Sequence, residues 1–123
     1  MSGLPWVRLD TGFPQNPKIL SLIADRRHRA IVGYVCALAW SGAQGTDGFI
    51  PHISLPMTHL ENVSTQWLVA ESLFKPAPGG WLINDWEEYQ QTTAESAERS
   101  ANAQRAARIR WDRHRRNGSE DGG

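Results

Sequence analysis

The stretch from Thr46 to Gln90, TDGFIPHISLPMTHLENVSTQWLVAESLFKPAPGGWLINDWEEYQ, decides the fold of this 123-residue chain. Its opening Thr-Asp-Gly indicates a turn, because Asp bonds to its own backbone and Gly accepts positive φ. A brief strand is expected at residues 49–50, and Pro51 ends the pairing capacity of that segment. A short helix is expected at residues 54–60, with Ser54 as its cap.

The second half of this stretch predicts a helix followed by a β-hairpin. Asn62 or Ser64 can cap a helix that runs to about Phe74, because apolar residues recur at the spacing of one buried face. The segment PAPGG forces a turn, and residues 81–86 then alternate as a strand does. The apolar positions of the helix are Trp67, Leu68, Ala70 and Leu73. This order of elements predicts an α+β, mainly α fold, a winged helix-turn-helix with the hairpin as its wing.

Two further helices are expected before this stretch. Asn16 and Pro17 form a good helix start, with Asn as the N-cap and Pro at the first helical position. A second helix over residues 30–41 contains Gly33, which a close crossing with another helix would explain. The expected buried stripes are Ile19, Leu20, Leu22 and Ile23 in the first helix, and Ile31, Tyr34, Val35 and Leu38 in the second.

Length and composition predict one domain with a tail. We expect a winged-helix domain over residues 1–91, a basic helical tail over 92–116 and a disordered end over 117–123. Cys36 is the sole cysteine, so no internal disulfide is possible, and it is expected in the core. The sequence shows neither a signal peptide nor the ~20 consecutive apolar residues that span a bilayer. We therefore expect a cytoplasmic protein of the host cell with no membrane partner.

The formal net charge of zero hides an asymmetry between body and tail. Residues 1–90 contain six basic and eight acidic side chains, whereas residues 99–116 contain seven Arg and one Asp. Such a tail indicates a polyanionic partner, because the Arg fork matches phosphate geometry. A solvated helix face is the alternative interpretation. The tail residues predicted to contact DNA phosphates are Arg105, Arg108, Arg110, Arg113, Arg115 and Arg116.

Four basic residues of the body are also candidates for DNA contact. Arg26, Arg27 and Arg29 form a compact cluster at the end of the first helix. They either contact the DNA backbone or offset the dipole at a helix C-terminus. Lys75, just before the turn of the predicted wing, is the fourth candidate for a phosphate contact.

The helix that begins near Ser64 is the candidate recognition helix. Ser64, Thr65 and Gln66 are expected to be exposed on it and to contact DNA, since Gln reads adenine and Ser or Thr contacts phosphate. The helix contains no Arg or Lys, however, and Glu71 would repel the DNA backbone. The rival interpretation is that this helix face binds a protein.

No motif in the sequence indicates catalysis or metal binding. The chain has no Gly-rich phosphate loop, no nucleophile–base arrangement and no carboxylate pair in an apolar setting. Its four His residues are scattered, without a second ligand at metal-binding spacing. We therefore expect no enzymatic activity, no cofactor and no metal.

The sequence resembles a family of small proteins of actinobacterial phages and prophages. The similar segments are WVRLDTGFPQNPKIL (6–20), YVCALAWSGAQGTDGFIP (34–51), GGWLINDWEEYQ (79–90) and RAARIRW (105–111). That family is similar to the N-terminal winged-helix domain of phage replisome organiser, or replication initiation, proteins. The resemblance covers nearly the whole chain and implies a winged-helix fold and a role in DNA replication. Replisome organisers carry a further domain that contacts the replication machinery, and no such domain is expected here.

The leading hypothesis is a DNA-binding protein of phage or prophage origin that binds double-stranded DNA in replication initiation or its regulation. The alternative is a protein-interaction module that does not bind DNA. It would bind a replication or host protein, or form a homodimer through the C-terminal helix. The Arg-rich tail favours DNA, whereas the acidic body and the uncharged recognition helix favour a protein partner.

Overall fold

A computed structural model of the chain describes residues 3–90, 98–99 and 101–111. The chain divides into two units, residues 1–93 and 94–123. In the second unit the described residues, 98–99 and 101–111, are helical. The predicted disordered end, 117–123, lies outside the described residues. All strands named below belong to the first unit.

The first unit begins with two helices, α1 (Pro17–Ala24) and α2 (His28–Gln44), after a short 3-10 helix, Phe13–Gln15. Asn16 caps α1 as predicted, because its side chain accepts a hydrogen bond of 2.9 Å from the Lys18 backbone N–H. The connection between the helices is tight, with Arg26 at a φ of 58°. Gly45 ends α2 in the left-handed conformation, at a φ of 71°.

Two of the four residues predicted to be buried in α1 are exposed. Ile19 and Leu22 are buried, but Leu20 and Ile23 are exposed. A helix of eight residues that touches the rest of the unit on one side can bury only a narrow stripe. In α2, Val35 is likewise exposed, whereas Leu38 is buried.

The close neighbour of Gly33 is a loop residue and not a crossing helix, which corrects the sequence prediction. A Cβ at position 33 would lie 2.3 Å from Cδ2 of Leu60, which is itself buried. Leu60 ends the connection that leads to α3 (Asn62–Ala70). Glycine at position 33 therefore lets this connection pack directly on the α2 backbone.

The connection between the first strand and α3 contains no α-helix at residues 54–60, contrary to prediction. It consists of a 3-10 helix, His52–Ser54, followed by turns. The Ser54 hydroxyl donates to the Pro51 carbonyl at 2.7 Å, and the Thr58 hydroxyl lies 3.2 Å from the carbonyls of Ser54 and Leu55. Short hydroxyl side chains that bond to nearby carbonyls compete with regular helix, which accounts for the turns.

The sheet has three antiparallel strands: β1 (Phe49–Pro51), β2 (Phe74–Ala77) and β3 (Gly80–Ile83), in the order β1-β3-β2. The hairpin of β2 and β3 turns at Gly79, whose φ is 83°. The predicted recognition helix ends earlier than expected, because Ser72 takes a φ of 59° and Phe74 already begins β2. Trp86 leaves the predicted strand and starts a short helix, α4 (Trp86–Tyr89).

The core of the first unit lies between the helices and one face of the sheet. The sheet contributes Ile50, Phe74 and Ile83, and the register places these residues on the same face. The helices contribute Ile19, Leu22, Ala30, Ala37, Leu38 and Leu68. The fold is therefore α+β and mainly helical, with a three-stranded antiparallel sheet, an arrangement compatible with a winged helix. Among the described residues, every helix is too short or too polar to cross a membrane.

Candidate nucleic-acid interface

Two of the three arginines of the body cluster contact α3 or the residue before it. The Arg29 guanidinium lies 2.8 Å from the carboxylate of Glu61, which immediately precedes α3. The Arg27 guanidinium lies 4.8 Å from the centre of the Trp67 ring, within range of a cation–π interaction. Arg26 is exposed at the helix connection, and Arg29 is exposed as well although it pairs with Glu61. Arg29 of α2, and Arg27 just before α2, therefore connect the start of α2 to α3.

Two of the three residues predicted to contact DNA from α3 are buried, so their expected exposure is wrong. Ser64 is 0% exposed and Thr65 is 2% exposed. The Thr65 hydroxyl donates to the Asn62 carbonyl at 2.7 Å, one turn earlier in the helix. The buried side of α3 runs through residues 64, 65 and 68, so small polar residues occupy positions that packing requires. Ser64 therefore offers no surface to a ligand, and Thr65 reaches only the wall of the groove beside α3, with its hydroxyl bonded inside the helix.

Gln66 is exposed, and it lines a groove of about 430 Å³ between α3 and the hairpin. Asn62 and Val69 line the same groove from α3, and Pro76 and Trp81 line it from the hairpin. The sequence indicates only a capping role for Asn62. The missed signal is its spacing, because residues four apart on a helix lie on one face. Two side-chain amides therefore point from one face of α3 beside the hairpin.

The hairpin side of the groove includes a half-buried indole. Trp81 lies on β3 opposite Ile50 and Pro76, and its ring meets the His52 ring edge-on at 4.6 Å. Trp86, whose exposure was left open by the sequence, is 4% exposed and belongs to the core. Of the two tryptophans considered for the wing, Trp81 is thus the one that reaches a surface.

Lys75 is exposed on β2, and it occupies the sheet face opposite the core. Leu82 and Phe49 stand in the same row across the sheet. Glu71, expected to repel DNA, accepts a hydrogen bond of 2.6 Å from the Ser21 hydroxyl of α1. Its carboxylate therefore contacts α1. This contact reduces the repulsion that Glu71 would exert on a DNA backbone at the exposed face of α3.

The described part of the second unit exposes all of its arginines. Arg105, Arg108 and Arg110 lie in the helical residues 101–111, where every residue is exposed and none is acidic. Arg105 donates to the Asn102 side chain. At 3.6 residues per turn, the directions of residues 105 and 108 differ by about 60°, whereas residues 108 and 110 point about 160° apart. This helix therefore carries positive charge on two sides. The other predicted tail contacts, Arg113, Arg115 and Arg116, lie outside the described residues.

The described residues contain no cluster of three or more His, Cys, Asp or Glu side chains that could hold a metal ion. Comparison with protein-family models, curated proteins and solved structures finds no match to this chain. The resemblance to phage replisome organisers stays a prediction.

Proposed function

We propose that this protein is a DNA-binding winged-helix protein of phage or prophage origin that acts in replication initiation or its regulation. The observation that carries the proposal is the exposed helix of residues 101–111, with three arginines and no acidic side chain. Phosphate contacts by arginine release counterions from the duplex and supply most of the affinity of sequence-independent binding.

Charge on two sides of a helix suits a groove between two phosphate backbones better than a flat surface. Basic helices that enter the major groove face a backbone on either side. Arg105 and Arg108 would contact one strand and Arg110 the other. In the first unit, Lys75 would contribute a phosphate contact from the wing.

The exposed face of α3 would contribute orientation and a modest sequence preference. Gln66 presents the amide that pairs with adenine in the major groove, and Asn62 presents a second amide on the same face. Because α3 carries no positive charge, these amides would act after the arginines have brought the protein to DNA.

The test is fluorescence anisotropy of a labelled random-sequence duplex, titrated with the full chain at about 50 and 200 mM salt. Binding is expected at the lower salt concentration, with an affinity that falls steeply at the higher one. A single-stranded oligonucleotide of the same length is the control for duplex preference. Absence of binding to the duplex at the lower salt concentration overturns the proposal.

Exposed apolar side chains favour a second function, a protein-interaction module. Ile53 is 80% exposed, and Met57 in the same connection is also exposed. On the helices, Leu20, Ile23, Val32 and Val35 are exposed as well. Contiguous exposed apolar patches mark interaction surfaces, so a partner would be expected to cover these side chains.

For this second function, a second copy of the chain is the partner that can be tested directly. Sedimentation velocity of the full chain over a wide concentration range measures its mass. A doubled mass that the double substitution Ile53→Ser with Met57→Ser returns to that of a monomer would support it. A homodimer through the C-terminal helix, as the sequence predicts, has less support. The apolar side chains Ile109 and Trp111 of that helix point about 160° apart, so they do not form one contact face. A monomer at all concentrations excludes the homodimer.

A further inference from the structure

A cavity of about 400 Å³ lies in the first unit, between the N-terminal segment, the start of α1 and the chain that follows β3. Most of residues 8–18 form one part of its lining, and residues 72–73 and 83–86 form another. This volume falls within the range of small-molecule sites, which is about 300–1,000 Å³. None of the residues proposed above to contact DNA lines it, so the cavity is independent of that function.

The apolar part of the lining includes two aromatic rings that are partly accessible. Phe13 and Tyr34 are half-buried, and their rings are nearly parallel, with centroids 6.4 Å apart and planes 10° apart. Leu73 and Ile83 also line the cavity, and both are buried. Because half-buried rings keep surface that a ligand can cover, this part of the lining favours an aromatic group.

Two polar side chains of the lining donate to the same backbone carbonyl. The Lys18 ammonium lies 3.3 Å from the Ser72 carbonyl oxygen, and the Asn84 side-chain amide donates to that oxygen at 2.6 Å. All three residues line the cavity, and both hydrogen bonds are exposed to solvent. An ammonium has three N–H donors and an amide nitrogen has two, so each side chain keeps a donor for a ligand. A charged donor beside a neutral one suits a carboxylate.

An acidic side chain follows this donor pair directly in the chain. Asp85 is exposed and lines the cavity. Its carboxylate forms no ion pair and no hydrogen bond with another described residue. A carboxylate without a partner at the wall of a cavity attracts a cationic group of a ligand. The lining therefore offers a place for a negative group and, one residue further on, a place for a positive one.

The other two charged side chains of the lining keep it neutral in sum. Arg8 is basic and Asp10 is acidic, as Lys18 and Asp85 are. The Asp10 carboxylate accepts a hydrogen bond of 2.6 Å from the Gly12 backbone N–H, so it is already engaged in its own turn. Because the basic and acidic side chains of the lining are equal in number, a ligand with one charge of each sign fits it better than an anion or a cation.

We propose that this cavity binds a free α-amino acid with an aromatic side chain. The α-carboxylate of the ligand accepts hydrogen bonds from Lys18 and Asn84, and its α-ammonium group faces Asp85. Its ring packs against Phe13 and Tyr34. The proposal does not depend on DNA binding, and either can fail without the other.

The test is a ¹⁵N–¹H NMR titration of the full chain with L-phenylalanine and two analogues that each lack one charge. 3-Phenylpropionate lacks the ammonium group, and 2-phenylethylamine lacks the carboxylate. We expect L-phenylalanine to bind with about millimolar affinity, which is typical of ligands of this size. Each analogue should bind about tenfold more weakly, because each loses one charge-assisted contact. The backbone signals of Leu73 and Asn84 follow the binding.

Two substitutions assign the two charges to their residues. Asp85→Asn removes the acid, and Asn tolerates the φ of 61° at this position. This variant should lose the preference for L-phenylalanine over 3-phenylpropionate and keep the preference over 2-phenylethylamine. Lys18→Met should show the reverse pattern. A merely structural effect would instead change the affinity for all three probes alike.

Glu88→Gln is the matched control for Asp85→Asn, because Glu88 is exposed on α4 and does not line the cavity. It should keep both preferences. The proposal is overturned if the signals of Leu73 and Asn84 do not move at about ten times the expected dissociation constant. Equal binding of the three probes to the unaltered chain also overturns it, as does an Asp85→Asn variant that keeps the preference over 3-phenylpropionate. The comparison of probes on the unaltered chain still decides the question if a variant does not fold.

Discussion

The arginines of the two units differ in what they contact. In the first unit, Arg27 lies against the Trp67 ring and Arg29 pairs with Glu61, so both connect α2 to α3. In the second unit, Arg105, Arg108 and Arg110 are exposed on the helical residues 101–111, none of which is acidic. Both sets look alike in the sequence, as short basic clusters. The difference teaches that a basic cluster indicates a polyanionic partner only where the fold offers it no acidic or aromatic neighbour.

The apolar residues of the two units differ in the same way. Leu68 of the first unit is 0% exposed, whereas Ile109 of the second is 58% exposed. The first unit is thus stabilised by its own core. In the described helix of the second unit, the large apolar side chains are exposed. Substitutions in the core of the first unit should change stability, and substitutions on the exposed helix of the second should change binding.

The largest effect is expected from Leu68→Ala. Removing a fully buried leucine leaves a cavity and should lower the free energy of unfolding by about 2–5 kcal/mol. Ile109→Ala is the matched control and should change it by less than about 0.5 kcal/mol. Urea denaturation followed by tryptophan fluorescence measures both. Equal losses for the two variants would contradict the contrast between the units.

The next effect is expected from replacing Arg105, Arg108 and Arg110 together with Gln, which keeps helix propensity. Each lost phosphate contact removes about 0.9 from the slope of log affinity against log salt. Three contacts then correspond to a loss of duplex affinity of roughly 100- to 500-fold at about 0.1 M salt. Anisotropy titrations measure both the slope and the affinity.

The triple Arg→Lys variant is the control for charge alone, and it should retain most of the affinity. The double substitution Arg27→Gln with Arg29→Gln provides the comparison with the first unit, and its effect on affinity should be far smaller. If this double variant weakens binding as much as the triple Arg→Gln variant, the two sets of arginines do not differ in function.

A smaller loss of stability is expected from Gln90→Ala. The Gln90 side chain accepts from the Arg8 backbone N–H at 2.8 Å and donates to the Arg8 carbonyl at 2.7 Å. Loss of both bonds should lower the free energy of unfolding by about 1–3 kcal/mol. Gln66→Ala, at an exposed position of α3, should leave stability almost unchanged. Similar losses from both substitutions would show that Gln90 does not hold the N-terminal segment.

The smallest effect concerns the contact between Arg27 and Trp67. A double-mutant cycle with Arg27→Met and Trp67→Leu should give a coupling energy of about 0.5–1 kcal/mol. The contact is partly exposed, so the coupling is modest. A coupling indistinguishable from zero would mean that the Trp67 ring does not hold Arg27, whose remaining contact is the Asp25 carboxylate at 3.8 Å.

The sequence predicted the features that depend on local chemistry. The Asn16 cap, the turn at Asp47-Gly48 and the hairpin around Gly79 follow from side chains that act on neighbouring backbone groups. It failed mostly where the outcome depends on distant neighbours, with the turns at residues 54–60 as a local exception. Ser64 and Thr65 look exposed because they are polar, yet α3 turns them toward the core. Leu20 and Ile23 look buried because they are apolar, yet nothing covers them in the described part of the chain.

The candidate sites also differ in whether the sequence alone reveals them. The basic character of residues 99–116 could be read directly, because charge needs no fold to be counted. The groove beside Gln66 and the cavity beside Phe13 could not, because each is assembled from segments far apart in the chain.

By itself, the sequence determined where the chain turns, which segments favour helix or strand and where positive charge accumulates, because these are properties of adjacent residues. The tertiary structure alone decided which face of each helix is buried, which arginines are already engaged and where the Lys18 and Asn84 donors meet. The physical reason is that burial and hydrogen bonding depend on residues that only folding brings together, as Gln90 and Arg8 show across the whole first unit.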